Sequence, residues 1–157
     1  MIISGVNPDT GIEFRAESKS VTSDLLKFLE EFELSEESIK RLIDGLNISA
    51  DAKLLLYKFS KATITAGQYV VKLGRKIIDL VCSLYKAFPE TSFQVIFWSL
   101  VGFLVSTIPI IGAVLGPVFT PILIAFGVYN GLMADVNNET LKKTISQMAT
   151  LFSPLVA

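Results

Sequence analysis

The sequence predicts a mainly α protein: a helical bundle with a long amphipathic helix and a central charge-free hydrophobic helical hairpin, plus a small N-terminal β-hairpin. Three observations carry that prediction. Residues 91–134 form a run of 44 without one charged side chain. Residues 49–88 repeat apolar positions at alternating steps of three and four. Near the start, Asn7-Pro8-Asp9-Thr10 separates two short apolar segments. Residues 1–48 (β-hairpin and acidic αα-hairpin) and 49–157 (long basic helix, hydrophobic hairpin, closing helix) are expected to form one cooperative unit.

Residues 2–6 and 11–16 flank the turn formers, as in a β-hairpin. Two strands alone are marginal in water, so this hairpin is expected to dock on the helices or on a partner. Ser20, Thr22 or Ser23 caps a helix running through Phe32, with Leu25, Leu26, Phe28 and Leu29 as its apolar face. Ser35 opens the next helix, and Glu36 and Glu37 suit the positive end of its dipole. Ile39, Leu42, Ile43 and Leu46 recur at helical spacing until Gly45 or Asn47 ends the pattern. This acidic helix pair is either a solvated packing unit or a module that recruits a protein partner.

In the long helix, Leu56, Phe59, Thr63, Ala66, Val70, Leu73, Ile77, Leu80, Leu84 and Ala87 form the apolar face. Ile64, Val71, Ile78, Val81 and Tyr85 broaden it beyond a coiled-coil seam. Gly67 and Gly74 each weaken the helix by about 1 kcal/mol relative to Ala, leaving room for a bend or break near Gly67. The opposite stripe carries Lys58, Lys61, Lys72, Arg75 and Lys86. Residues 1–48 hold ten acidic and five basic side chains, whereas residues 49–90 hold seven basic and three acidic. The basic stripe is therefore expected to contact anionic lipid headgroups, to pair with the acidic module, or to be an ordinary solvated helix face.

A bilayer-spanning helix needs roughly 20 apolar residues. Two arms, 91–108 and 117–134, approach that length and turn around Gly112. Antiparallel pairing then sets Gln94 opposite Asn130 as an interhelical polar pair, Trp98 opposite Phe126, and Gly102 opposite Ile122. Trp98 and Tyr129 fall at the expected membrane interface. Pro109 lies in the break, and Pro117 and Pro121 in the first turn of the second arm, where their missing N–H groups cost little. Gly112 with Gly116, and Gly127 with Gly131, have the spacing that lets helices approach closely. Basic residues beside both ends of the hairpin place both termini in the cytoplasm, and no signal peptide precedes it. The closing amphipathic helix begins at Asn137 and carries Leu141, Ile145, Met148 and Phe152 on one face.

The chemistry of common catalytic sites is missing. There is no histidine and one cysteine, Cys82, which fits a small core position. No nucleotide-binding or nucleophile-elbow motif occurs, so neither an enzyme nor a cofactor is expected. A pI near 5.5 and a basic stripe without interleaved aromatics argue against nucleic acid. In layout, amphipathic helices around a charge-free hairpin, the chain resembles pore-forming colicin domains and Bcl-2-type proteins. That resemblance implies a small membrane-active protein whose hairpin inserts into a lipid bilayer and permeabilises it as a homo-oligomer, in the manner of a toxin or defence effector. The alternatives are a membrane-anchored adaptor recruiting a partner through its N-terminal module, and a soluble helical protein with the hairpin as its core.

Overall fold

The computed structural model describes residues 2–7, 10–19, 21–31, 35–126 and 139–155. These residues are mainly helical with one antiparallel sheet. In chain order they form β1 (Ile2–Val6), β2 (Glu13–Glu17), α1 (Ser23–Glu30), α2 (Glu36–Gly45), α3 (Ala50–Ser60), β3 (Ile64–Ala66), β4 (Tyr69–Val71), α4 (Leu73–Ala87), α5 (Phe93–Thr107), α6 (Pro109–Ala125) and α7 (Glu139–Thr150). Four helix starts follow one local rule. Thr22, Ser35, Ser49 and Ser92 each accept a hydrogen bond from the backbone N–H three residues on, opening α1, α2, α3 and α5.

The long helix expected over residues 49–88 is not there. Its place is taken by α3, a β-hairpin of β3 and β4, and α4. The alternation of β-branched and small residues from Thr63 to Val71 suits a strand pair, and β1 supplies its partner. The sheet order is β2-β1-β3-β4, with Ile3 between Ala16 on one side and Ala66 on the other. Gly67 opens the two-residue turn with φ of +59°, a conformation such a hairpin requires and a side chain resists. The expected N-terminal hairpin is therefore present, but as half of a larger sheet.

The hydrophobic hairpin also differs from expectation. The chain reverses at Ile108, not at Gly112, and α6 starts eight residues before the expected second arm. Proline is favoured at the first position of a helix and forces the residue before it out of helical geometry. Pro109 takes that position, and Ile108 is extended, with φ of −116° and ψ of 107°. Gly102 consequently meets Phe119 rather than Ile122. Pro117 and Pro121 lie inside α6, not in its first turn. Pro117 is exposed and Pro121 half-buried, on a side of the helix where water can serve the carbonyls that lose a partner.

This early reversal overturns the transmembrane, pore-forming and membrane-embedded expectations, including the placement of both termini relative to a bilayer. α5 has 15 residues and α6 has 17. At 1.5 Å per residue they extend about 22 and 26 Å, short of the roughly 30 Å hydrocarbon core. Among the described residues no helix is long and apolar enough to cross a membrane.

The hairpin is instead the centre of the core. Phe97 of α5 is fully buried, with ring centroids 5.2 Å from Phe59 of α3, 6.1 Å from Phe119 of α6 and 5.7 Å from Phe126. Gly5 of β1 faces Val114, which lays α6 along the sheet. The start of α3 meets the end of α6, where the Ser49 hydroxyl donates to the Ala125 carbonyl at 3.3 Å. At the far end of the chain, Ser18 donates to the Pro154 carbonyl at 2.5 Å, closing β2 against the C-terminal turn.

Gly74 shows how tightly α4 sits on α3. A Cβ there would lie 1.7 Å from the Phe59 carbonyl oxygen, which is backbone and has nowhere to go. Gly45, at the end of α2, has nothing within 4 Å of the same position. Gly74→Ala is expected to destabilise the fold by about 3 kcal/mol or more, the upper range for overpacking. Gly45→Ala should change it by less than about 1 kcal/mol. Denaturant titration of both variants checks the contrast.

Candidate functional site

Two concavities flank α3, one on each side. The first is a cleft of about 480 Å³ between α2, α3 and the start of α4. α2 contributes Glu36, Ile39 and Lys40 to it. α3 contributes Leu54, Tyr57 and Lys61 just past its end, while Lys72 immediately precedes α4 and Arg75 lies in its first turn. The spacing of Leu54, Tyr57 and Lys61 puts them on one helical face. Lys72 and Arg75 reach the same place because the β3–β4 hairpin folds the chain back beside the end of α3. The second concavity, about 520 Å³, is an apolar groove between Leu54, Leu55 and Lys58 of α3 and Pro121 and Ile124 of α6.

Leu54 borders both and is 61% exposed, so α3 presents an apolar ridge between them. Lys53 donates to the Asp44 carbonyl at 2.7 Å, which ties α3 to the end of α2 beside the cleft. The Tyr57 hydroxyl donates to the Asp44 carboxylate. That hydrogen bond, aided by partial desolvation and by the carboxylate charge, pushes the phenol up to about 12.

Of the five stripe residues expected at an anionic surface, Lys61, Lys72 and Arg75 come together in the first cleft. Lys58 lies in the groove on the other side of α3. Lys86 is exposed in the last turn of α4, about 20 Å along the helix from Lys72. The stripe is thus divided by the broken helix. Lys40 and Tyr57 were missed. Lys40 sits in a segment that reads as acidic, and only the fold brings it to the basic side.

The residues expected to insert into a bilayer have structural positions instead. Trp98 is half-buried against the core, and Gly102 leaves room for Phe119. Gly112 packs against the Val105 carbonyl, where a Cβ would approach to 2.6 Å, and Gly116 lies near the Val105 side chain. Pro109 begins α6, and Pro121 helps line the apolar groove. Gln94 is half-buried in the first turn of α5. Its expected partner Asn130, together with Gly127, Tyr129 and Gly131, lies outside the described residues.

Three buried ionisable groups sit on α4. Lys76 donates to the Glu31 carbonyl at 2.8 Å and lies 4.3 Å from the centre of the Phe28 ring, so it ties α4 to the C-terminal end of α1. Asp79 is likewise buried. The Cys82 thiol is buried one turn on and is pushed up to about 12, chiefly by desolvation and then by the charge of Asp79. No group of three or more metal-ligating side chains occurs among the described residues.

No family model, curated protein or solved structure matches this chain.

The Tyr57 contact has a measurable consequence. Its folded-state pKa is raised above the ordinary value of 10.0 to about 12. The contact therefore contributes stability below pH 10 and loses it as the pH rises from about 10 to 12. In an ultraviolet absorbance titration, the difference between the native chain and Tyr57→Phe should show Tyr57 ionising near pH 12, above the ordinary tyrosine value of 10.0. Asp44→Asn should bring its midpoint back down, and an unchanged midpoint would refute the coupling.

Proposed function

We propose that this chain is a non-catalytic binding domain. It keeps the charge-free hairpin as its own hydrophobic core and binds a ligand at the cleft bounded by α2, α3 and the start of α4. One observation carries the proposal. Phe97, Leu100, Val101, Leu104, Ile111, Val114, Leu115 and Ile122 all have zero exposure, covered by the rest of the fold. In this fold those side chains face protein rather than solvent or lipid. Fully burying each such side chain is worth about 1.5–3 kcal/mol, so removing the cover would sacrifice most of what holds the domain together.

The binding role is supported by where the concave surface lies. The cleft joins the N-terminal helix pair to the basic segment, the two parts whose charges differ most in sign. Its walls mix apolar, aromatic and charged groups, the composition of a recognition site. The state of Cys82 supports a non-catalytic reading. A buried thiol held neutral near pH 7 is a poor nucleophile.

Expression of the full chain tests the proposal. It should purify without detergent as one monodisperse species and give a near-ultraviolet circular dichroism signal from the packed Trp98. Recovery only in detergent, or a featureless near-ultraviolet spectrum, would count against a hairpin buried in its own fold.

A further inference from the structure

The cleft between α2, α3 and α4 gathers positive charge where a helix end already carries it. Lys40, Lys61, Lys72 and Arg75 line it, against one carboxylate, Glu36. Among the described residues no ion pair involves Lys40, Lys61 or Lys72. Like charges so gathered repel one another, and the positive end of the α4 dipole adds to the same field. The contrast with the other helices of this region is direct. α1, α2 and α3 each begin with a Ser or Thr cap and an acidic residue in the first turn. α4 begins with neither, and has Lys72 and Arg75 there instead. A local rule broken in this way, at a cavity, marks a place where stability has been given up for a ligand of opposite charge.

The other walls narrow the ligand further. Leu54 is 61% exposed and the Tyr57 ring stands beside it, so an apolar or aromatic surface adjoins the cationic end. The volume of about 480 Å³ lies within the range of small-molecule sites, roughly 300–1,000 Å³. Concavity on that scale suits a discrete molecule rather than a flat bilayer or a duplex.

We infer that this cleft binds a small organic phosphate. The dianionic phosphate monoester sits among Lys61, Lys72 and Arg75, with Lys40 on the facing wall. Its apolar group lies against Leu54 and Tyr57. Lysines act on the phosphate as point charges, and several of them converging on one cleft match a dianion better than a single carboxylate. This assignment rests on the reading of the chain as a folded binding domain.

Calorimetry and amide chemical shifts of the full chain with phenyl phosphate, inorganic phosphate and benzyl alcohol test it. Phenyl phosphate should bind saturably and shift amides at 36–40, 54–63 and 72–75. Inorganic phosphate should bind more weakly, and neutral benzyl alcohol not at all. Lys61→Gln and Lys72→Gln should each weaken phenyl phosphate by about tenfold, the loss of one charge-assisted hydrogen bond. Lys86→Gln should leave it unchanged, while Glu36→Gln, which removes the carboxylate, should tighten it. Leu54→Ala should lower affinity for phenyl phosphate but not for inorganic phosphate. A monodisperse, well-folded chain with no saturable response overturns the ligand and leaves the folded-domain reading standing. Binding to phosphatidic acid vesicles with none to phenyl phosphate also overturns it. A chain that does not fold without detergent overturns both.

Discussion

A hairpin with no charged side chain on either helix must be covered on nearly every side, and the rest of this fold is arranged to do so. Phe97 marks the centre. Its ring touches aromatic neighbours on α3 and α6, and the helix that carries it packs between α4, α6 and α7. The sheet covers α6 from another direction, through Gly5 against Val114. What remains uncovered is small or mildly polar. Ser106, Thr107 and Thr120 are exposed, and the hydroxyls of Ser106 and Thr107 donate to the Phe103 carbonyl at 3.0 and 2.7 Å, so they ask nothing of a neighbour. Phe103, at 44% exposure, and Ile124, at 55%, are the large apolar exceptions on the two helices.

Much of this could be read from residues. The start at Ser35, and that at Thr22 as one of three expected candidates, follow from capping chemistry, which acts over three residues. The described part of the charge-free run holds two helices, and of the expected closing face Leu141, Ile145 and Phe152 are buried and Met148 is half-buried. The failures were of a different kind. Thr63, Ala66 and Val70 satisfy a helical repeat as well as a strand pattern. What decides between them is β1, some sixty residues earlier, whose edge offers hydrogen bonds to β3. The hairpin turn was misplaced because a glycine in a break draws attention, whereas the restriction that Pro109 imposes on Ile108 is stronger. The early reversal at Ile108 leaves α5, with 15 residues, too short to span a bilayer.

The candidate site was legible only in part, for the same reason. A stripe of five cations is visible in the sequence, but a continuous helix would have strung them along one face. Breaking that helix turns Lys72 and Arg75 back beside Lys61 and sends Lys58 and Lys86 elsewhere. Lys40 joins from a helix whose own composition is acidic. Local chemistry supplied the charges; non-local pairing of β1 with β3 chose which of them meet. The cleft and the core are therefore linked, because the strand pair that shapes one also closes over the other.

Native-state hydrogen exchange tests the central claim most directly. If the hairpin is the core, amides in the middle of α5 and α6 exchange only through global unfolding, with the same opening free energy as those of α4 and β3. Rapid exchange throughout α5 and α6, with α4 and β3 still protected, would contradict it. It would mean that the fold stands without the hairpin inside.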